Sequence, residues 1–571
     1  MKFTLDWLKE HLETEAPPSE IADTLTMVGL ELEGLEDRAA LLKPFTIAEV
    51  LSAEKHPNAD RLKVCMVETG AGDPVRVVCG APNARAGMKA VFAPPGTYIP
   101  GTDMTLQKGV IRGEASNGML CSARELMVSD DHTGIIEVPA DLPVGARYAD
   151  WAGLGEIDFD VAITPNRGDC TGVHGIARDL AAAGIGDLKN AAIPAVAATA
   201  GQSPIPIELR FGDDPNPACR MFAGRLIKGV SNGPSPDWLQ KRLIAVGLRP
   251  INALADITNF IALDRGRPLH VYDADKLTGT VHARMGRAGE KFLGLDGKEH
   301  EADETMCVIA DDSGVLGFGG ILGGDSTSCT EETKNVLIEC AWFDPISIAS
   351  TGRKTSIVSD ARYRLERTVD PEFVRPGLEL ATRMVLDLCG GEPCEPTIAG
   401  HVEAPETIID FPVAEVKRLT GLNVRFAEIK AILTRLGFWV SGTGDTVKVN
   451  VPSWRADVTQ KADIVEEVMR MVGVDRVPVD PLPRLAGVAP KMLTVRQNRR
   501  RLVRRALAAR GLDEAVTWSD ISADEAALFG GGGEDLKLAN PITADLTDMR
   551  PSLLPGLLAA ARRNMHRGFP D

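Results

Sequence analysis

Residues 453–468 read SWRADVTQKADIVEEV and carry four carboxylates within eleven positions. Apolar residues recur at helical intervals through the second half of this stretch, which predicts a helix. On that helix Asp463, Glu466 and Glu467 share one face, because side chains three and four positions apart are neighbours. Asp457 would lie in the preceding loop and fold back over that face. Ligands that are all oxygens favour a hard cation such as magnesium over zinc.

The same acidic residues also fit the start of a helix. Asp463 followed three residues later by Glu466 nearly matches a capping box, and carboxylates stabilise a helix N-terminus. Spacing alone favours the capping interpretation, although capping and metal binding are compatible.

The composition limits the class of protein. The chain has 571 residues, a net charge of −17 and a pI near 5.2. This length predicts about four domains, and the acidic balance argues against a general nucleic-acid coat while allowing a local basic face. Ten cysteines without metal-binding spacing predict free, mostly buried thiols in a reducing cytosol. Without a signal peptide or a membrane-length apolar run, we expect a cytoplasmic protein with no membrane partner.

The chain changes character several times. The predicted segments are an N-terminal α/β unit (1–39 with 150–190), a small barrel (40–149), a large α/β domain (207–400), a helix-rich module (401–478) and a final α/β segment (485–571). Within the first unit, a helix is predicted over 175–183. Residues 190–206 and 482–490 are interpreted as linkers, and a bend is expected near Ala404 and Pro405.

Long motifs along the chain resemble one family. They are MKFTLDWLKEHL, IAEVLSAEKHPNADRLKVCMVETG, ITPNRGDCTGVHGIARDLAA, ADITNFIALDRGRPLHVYDADKL, GFGGILGGDST, RYRLERTVDPE, VPSWRADVTQKADIVEEVMRMVGVDRVP and NPITADLTDMRPSLLPGLL. In this order they resemble the β subunit of bacterial phenylalanine–tRNA ligase (phenylalanyl-tRNA synthetase), shortened at its C-terminus. The resemblance implies a multidomain α+β protein with an OB-type tRNA-binding barrel, a large α/β editing domain, a small wing-like module and a partial class II synthetase-like domain.

The family resemblance also implies an assembly and an activity. It implies an α2β2 tetramer that uses ATP to attach phenylalanine to tRNA(Phe), with the synthetic site on the α subunit. This chain would supply tRNA contacts and hydrolytic editing of Tyr-tRNA(Phe). It would also hold Mg²⁺ near the α subunit through Asp457, Asp463, Glu466 and Glu467. Two alternatives remain open, a non-catalytic tRNA-binding scaffold and a stand-alone trans-editing hydrolase.

The resemblance places an editing pocket in the large α/β domain. The matching positions are Thr258, Asn259, His270, Gly319, Gly320 and Glu339. Glu339 is the candidate partner for the hydroxyl that distinguishes tyrosine from phenylalanine, since an unpaired buried polar group would reject phenylalanine. His270 would orient water or the terminal ribose of the tRNA, unless it is a packed histidine. Gly319 stands where the family often has alanine.

The glycine-rich stretch 317–324 is not interpreted as a phosphate loop, because Asp325 and Ser326 follow it instead of a Lys-Ser/Thr pair. Its glycines are expected to allow tight packing or close approach to a ligand.

In the predicted barrel a basic groove would use Lys55, His56, Arg61, Lys63, Arg85, Lys89, Lys108 and Arg112. The alternative is a solvated charged surface, because aromatic residues for base stacking are scarce.

The final segment begins with a second predicted capping box, Thr494 to Gln497, and a helix through Arg510. Seven arginines crowd this helix: Arg496, Arg499, Arg500, Arg501, Arg504, Arg505 and Arg510. They could hold RNA phosphate or face an acidic partner surface, and the resemblance favours the interface. Because the family's β subunits are longer, we expect an incomplete final domain that is partly unfolded over 485–571, and we do not carry over anticodon recognition.

Overall fold

The computed structural model describes residues 1–129, 131–154, 156–189, 191–402, 406–483 and 491–569. It is a mixed α+β structure that divides into two compact units, Met1–Val479 and Asp480–Asp571. The expected bend at Ala404 and Pro405 and most of the expected linker 482–490 lie outside the described residues. Residues 191–206 contain no helix or strand, which agrees with their interpretation as a linker.

Three strands from distant parts of the sequence form the first sheet. Ile157–Val161 is its central strand and pairs antiparallel with both Lys2–Thr4 and Leu32–Asp37. The other elements of this part are helices Leu5–His11, Pro18–Met27 and Val173–Ala183, and strands Leu12–Glu13 and Asp187–Leu188. Helices Arg38–Leu42 and Tyr148–Ala152 belong to the segment inserted between the paired strands, with whose strands they share a core. The helix predicted over 175–183 is therefore confirmed. Everything between residues 38 and 156 is inserted between two paired strands.

The inserted segment is built from short antiparallel strands. They are Thr46–Lys55, Lys63–Glu68, Val75–Cys79, Lys89–Ala93, Tyr98–Ile99, Met104–Thr105, Gly109–Ile111, Glu114–Ser116, Met119–Leu120 and Glu137–Val138. Six of them form one sheet in which Thr46–Lys55 pairs with Lys63–Glu68 and Lys89–Ala93. The sheet curls, since Asn117 N donates to the Arg76 carbonyl at 2.9 Å. Within the described residues the strand pairings do not close into a complete ring.

The large central domain contains two five-stranded sheets. One comprises Cys219–Lys228, His270–Asp273, Asn335–Phe343, Glu392–Pro393 and Thr397–Gly400. The other comprises Ile207–Arg210, Val281–Met285, Cys307–Asp311, Gly314–Phe318 and Leu322–Gly323. A separate hairpin, Glu290–Leu293 with Glu299–Ala302, and helices Asp237–Ala245, Ala253–Arg265, Pro345–Thr355, Asp360–Leu365 and Val374–Cys389 complete the domain. Buried aliphatic and aromatic residues from both sheets share one core.

A three-stranded sheet and three helices form the next module. Its strands are Ile408–Pro412, Trp439–Ser441 and Thr446–Asn450, and its helices are Ala414–Thr420, Phe426–Arg435 and Lys461–Val472. The apolar side of the last helix, including Ile464, Val465 and Val468, enters the core of this module. The sequence prediction of a helix over these residues is confirmed.

The second compact unit has a sparse core. It contains helices Val495–Ala508, Ala523–Ala527 and Leu554–His566, with a two-stranded sheet of Asp520–Ile521 and Asp548–Met549. Thr494 and Gln497 form the expected capping box, so this prediction is confirmed. The first helix buries none of its residues.

Candidate functional site

A cavity of about 300 Å³ lies where the two sheets of the central domain meet. Its walls include His270 and Glu339 from one sheet and the glycine-rich turn after Gly314–Phe318 from the other. His270 stands directly opposite Glu339 in the strand register. Asn259 reaches the cavity from the helix Ala253–Arg265. This volume is at the lower end of the usual range for small-molecule pockets, roughly 300–1,000 Å³.

Glu339 provides the buried carboxyl group of the cavity. Glu339 is only 5% exposed, and the phenol of Tyr272 donates a hydrogen bond to its Oε2 atom at 2.5 Å. Burial raises the carboxyl pKa to about 7, although the Tyr272 hydrogen bond acts in the opposite direction. Near neutral pH this group is therefore divided between an ionised acceptor and a neutral acid.

His270 places an imidazole beside that carboxyl group. Its Nε2 atom is inaccessible to solvent and has no hydrogen-bond partner among the described residues. Burial lowers the imidazole pKa to about 4, so the ring is neutral at physiological pH. Tyr272 packs edge-on against this ring, with ring centroids 4.5 Å apart. A buried nitrogen without a partner is the observation expected of a group whose partner is a ligand.

The glycine-rich turn allows its backbone to approach the cavity closely. A Cβ atom on Gly323 would lie 2.4 Å from His270 Cε1. Gly320 has φ of +70°, a conformation that favours glycine, and an added Cβ would lie 2.6 Å from a methyl group of Leu365. The expectation of tight packing is confirmed, and the same packing forms one wall of the cavity.

Two of the six candidate editing residues do not line the cavity. Thr258 Oγ1 donates to the Ala255 carbonyl at 2.7 Å within its own helix. Gly319 lies behind the wall, where an added Cβ would be 2.7 Å from the Phe343 ring and 3.2 Å from Cys307 Sγ. An alanine at this position would therefore press on the wall from outside. Tyr272 was missed by the sequence analysis, although its position two residues after His270 in a strand puts both side chains on one face.

The acidic helix has a different arrangement from the one that its spacing predicts. The helix begins at Lys461 with Gln460 as its N-cap, so Asp463 is the third residue of the helix and not its cap. Asp463 Oδ2 accepts from the backbone amides of Thr459 and Gln460 at 2.8 and 3.0 Å. The capping role of Asp463 is present, but Glu466 takes no part in the capping box because it lies one turn further on.

Glu467 lies in a buried network of ion pairs. Its carboxylate accepts hydrogen bonds from Arg455 and Arg470, and Arg470 also pairs with Asp179 at 2.7 Å. Burial opposes ionisation of Glu467, but the hydrogen bonds and charges of the two arginines outweigh it and lower the pKa to about 2. Arg455 also makes a two-point contact with Asp457 at 2.9 and 3.0 Å.

This network limits how the four carboxylates can hold a metal. Their oxygens suit a hard cation, but Asp457 is paired with Arg455, and Glu467 is paired with Arg455 and Arg470. No three of the four carboxylates bring their oxygens together as a metal site would. Glu466 is exposed, and Asp463 keeps Oδ1 free of hydrogen bonds from described residues. The donor chemistry therefore fits magnesium, and half-buried Asp463 and exposed Glu466 are the two carboxylates of this set that no arginine occupies.

A second cluster has metal-like composition but is occupied by cations of the protein itself. Among the described residues, only Asp169, Cys170 and Asp179 bring three potential ligand atoms within 4.8 Å of one another. Arg167 pairs with both aspartates at 2.9 and 2.7 Å, and Arg178 pairs with Asp169 at 2.9 Å. These arginines supply the positive charge that a metal would otherwise bring.

Several of the basic residues expected to line a nucleic-acid groove have structural partners. Lys63 and Lys89 each donate to two backbone carbonyls, and Arg85 pairs with Glu137. His56 is buried. Each of these four residues therefore already has a partner or a buried position within the segment, while the basic groove itself stays a prediction.

The remaining basic residues of this set lie near one end of the segment. Asn58 Nδ2 donates to the Arg112 carbonyl at 3.0 Å, so the loop that contains Arg61 lies against the hairpin that contains Arg112. Arg61, Arg112 and the nearby Lys108 are exposed and make no ion pair with described residues. Lys55 is exposed at the same end and pairs with an exposed aspartate.

No described helix combines the length and the apolar character that crossing a lipid bilayer requires.

All ten cysteines are free and nine are buried, which confirms the prediction of free, mostly buried thiols.

Models of four protein families match the chain. They are the tRNA binding domain (residues 45–147), the B3/4 domain (218–390), the tRNA synthetase B5 domain (409–474) and the phenylalanyl tRNA synthetase beta chain CLM domain (481–571). The cavity lies in the B3/4 match, and the acidic helix lies in the B5 match.

Curated relatives extend the similarity over the whole chain. The phenylalanine–tRNA ligase beta subunit of Rhodopseudomonas palustris is 59% identical over 574 residues, covering 100% of this chain and 71% of that protein. The same subunit of Bradyrhizobium diazoefficiens is 58% identical over 572 residues with the same coverage. A solved N-terminal fragment of the phenylalanyl-tRNA synthetase beta subunit from Pyrococcus horikoshii is 18% identical, covers 56% of this chain and 88% of the fragment, and has a TM-score of 0.31. From the identity along its full length, this chain belongs to the family of phenylalanine–tRNA ligase beta subunits.

Proposed function

We propose that this chain works as the beta subunit of a phenylalanine–tRNA ligase and that its central domain edits Tyr-tRNA(Phe). The observation that carries the editing assignment is the cavity in which Glu339 and His270 face each other. This function implies two partners, tRNA(Phe) and an α subunit that carries the synthetic site for phenylalanine and ATP. It also implies an α2β2 assembly that acts in the cytoplasm.

Selection of the tyrosyl ester would come from the buried carboxyl group. A tyrosine side chain in the cavity can donate its phenolic hydrogen to the Glu339 oxygen that Tyr272 does not contact, whereas phenylalanine would leave that oxygen without a partner. Leaving a buried polar group unpaired is costly, and sites built this way reject the analogue that lacks the hydroxyl. Neutral His270 and Asn259 would orient the ester or a water molecule for hydrolysis. Thr258, Gly319 and Gly320 would support the cavity walls.

The editing proposal is tested with aminoacylated tRNA. The chain, coexpressed and purified with the α subunit of its own organism, is expected to hydrolyse Tyr-tRNA(Phe) and spare Phe-tRNA(Phe). Hydrolysis should fall sharply in Glu339→Ala. A folded assembly that charges tRNA(Phe) but leaves Tyr-tRNA(Phe) intact would refute editing and favour a scaffold. Hydrolysis by the chain without any second polypeptide would favour a stand-alone enzyme.

Magnesium is proposed at the acidic helix, with Asp463 and Glu466 as the accessible ligands. Asp457 would join them only after releasing Arg455, and Glu467 only after releasing both Arg455 and Arg470. An ion that keeps several of its waters suits a site with few protein ligands. Titration of the assembly with MgCl₂ should show binding that Glu466→Gln weakens. Equal binding by wild type and Glu466→Gln would refute this placement.

For the segment 45–147 we propose an OB-type fold that contacts tRNA with the end that carries Arg61, Lys108 and Arg112. Binding by phosphate contacts should weaken as salt rises, and loss of one arginine should reduce that salt dependence. The test compares the tRNA affinity of wild type and Arg112→Ala at low and high salt, with Arg85→Ala as the matched control.

For the second unit we propose a class II synthetase-like fold whose arginine-rich helix faces the α subunit.

A further inference from the structure

Tyr272 contacts both polar groups of the editing cavity. Its hydroxyl donates to Glu339 Oε2, and its ring packs against the ring of His270. Tyr272 and His270 are alternate residues of one strand, so they project from the same face. Tyr272 is 2% exposed, and its phenol is therefore part of the fixed interior and not a mobile surface group.

The hydrogen bond divides the Glu339 carboxylate into two unequal oxygens. Oε2 is taken by Tyr272, whereas no described residue donates to Oε1. We propose that Tyr272 is a positioning residue of the editing reaction, which fixes Oε2 so that Oε1 is the acceptor for the phenol of a mischarged tyrosine. This inference rests on the proposed editing function.

The same contact controls the charge of the acceptor. The hydrogen bond from Tyr272 favours the ionised carboxylate and opposes the effect of burial on the Glu339 pKa. An ionised acceptor strengthens the bond to a substrate phenol and makes an unpaired acceptor more costly. Both effects favour tyrosine over phenylalanine, so the phenol of Tyr272 should increase selectivity.

The surroundings allow the titration of Glu339 to be observed by itself. Burial raises the pKa values of the neighbouring Cys307 and Cys340 to about 12 and about 11. Cys219 is likewise raised by burial, so the pKa values of all three keep the thiols neutral near pH 7. The low pKa of His270 also leaves it uncharged there. The remaining acidic group of the cavity wall, Asp360, pairs with Arg364 at 2.9 Å.

The test is the pH profile of Tyr272→Phe in the assembly with the α subunit. Wild-type hydrolysis of Tyr-tRNA(Phe) should rise through a midpoint near pH 7, where Glu339 ionises. Loss of a hydrogen bond to a charged group should move the midpoint up by about one pH unit. At pH 7 this leaves about fivefold less ionised Glu339, and the preference for the tyrosyl ester should fall by a similar factor.

Controls separate positioning from a general loss of structure. Tyr148→Phe removes another buried phenol, which lies in the helix Tyr148–Ala152 and far from Tyr272 in sequence, and it should keep the wild-type profile. In a Glu339→Gln background, Tyr272→Phe should cause no shift of midpoint, because the titrating group is gone. The inference is overturned if Tyr272→Phe shifts the midpoint in the Glu339→Gln background, or if Tyr272→Phe alone leaves the midpoint unchanged. It is also overturned if Tyr272→Phe lowers the KM, which would show that Tyr272 competes with the substrate for Oε2. If wild type does not hydrolyse Tyr-tRNA(Phe), the editing proposal itself fails.

Discussion

Replacement of Glu467 by glutamine tests the buried ion-pair network around the acidic helix. The variant keeps the size and shape of the side chain but leaves Arg455 and Arg470 without their shared carboxylate. Breaking a buried pair by removing one partner costs about 3–5 kcal/mol. Lowering the carboxyl pKa from 4.5 to about 2 corresponds to about 3 kcal/mol, which agrees with that range.

The stability that Glu467 contributes to the folded module depends on pH. Because folding lowers the pKa of Glu467, its contribution is complete well above pH 4.5 and is lost as the pH falls toward 2. Glu467→Gln should therefore destabilise the module by about 3 kcal/mol at pH 7, and by about 1 kcal/mol less at pH 4. Stability is measured in urea by hydrogen exchange of peptides from helix Lys461–Val472.

Glu466→Gln is the matched control. Glu466 is the adjacent residue, exposed to solvent and outside the network, so the substitution should change stability by less than about 0.5 kcal/mol. Equal effects of the two variants would refute the argument. A Glu467→Gln deficit that grows between pH 7 and pH 4 would also refute it, since it would show that the carboxylate is not stabilised by the arginines.

Three further predictions concern the cavity and the second unit. Glu339→Gln should make the hydrolysis rate of Tyr-tRNA(Phe) independent of pH between 6 and 8, and a retained rise through pH 7 would exclude Glu339 as the titrating group. Gly323→Ala should displace His270 and reduce that rate by about 100-fold, whereas Gly233→Ala, which has open space around its Cβ, should not. Thr494→Ala should destabilise the helix it caps by about 1 kcal/mol, seen as faster hydrogen exchange, and unchanged exchange would contradict the capping role.

Local patterns in the sequence predicted much of the secondary structure. Periodic apolar residues predicted the helices within Val173–Ala183 and Lys461–Val472. The sequence predicted an α/β unit that joins residues 1–39 with 150–190, but it did not locate the strands of that unit, because they are short and pair with residues more than a hundred positions away. The sequence also predicted a small barrel over 40–149, whereas the strand pairings of the described residues do not close into a ring. Closure depends on pairings between distant strands and not on any local pattern.

The family resemblance identified more of the cavity than residue spacing could. His270 and Glu339 lie on two different strands, were named through the resemblance, and stand opposite each other in the structure. Spacing also put Glu467 on the same helix face as Asp463. Arg470 lies three residues further along that helix and is a local partner for Glu467. Spacing could not show that Arg455 would also bind the Glu467 carboxylate or that Arg470 would pair with Asp179. A carboxylate can pair either with an arginine side chain or with a metal ion, and the sequence does not reveal which of these cations lies nearer.

The strands on either side of the inserted segment bear on the order of folding. Asp37 and Ile157 are opposite each other in the register, so residues 38–156 leave the sheet and return to it at neighbouring points. Joining two ends through a long disordered chain costs entropy that increases with the length of that chain. If the segment folds first and holds its own ends together, most of that entropy is lost before the sheet forms. The sheet would then join two ends that are already close, and its assembly would depend on prior folding of the insert.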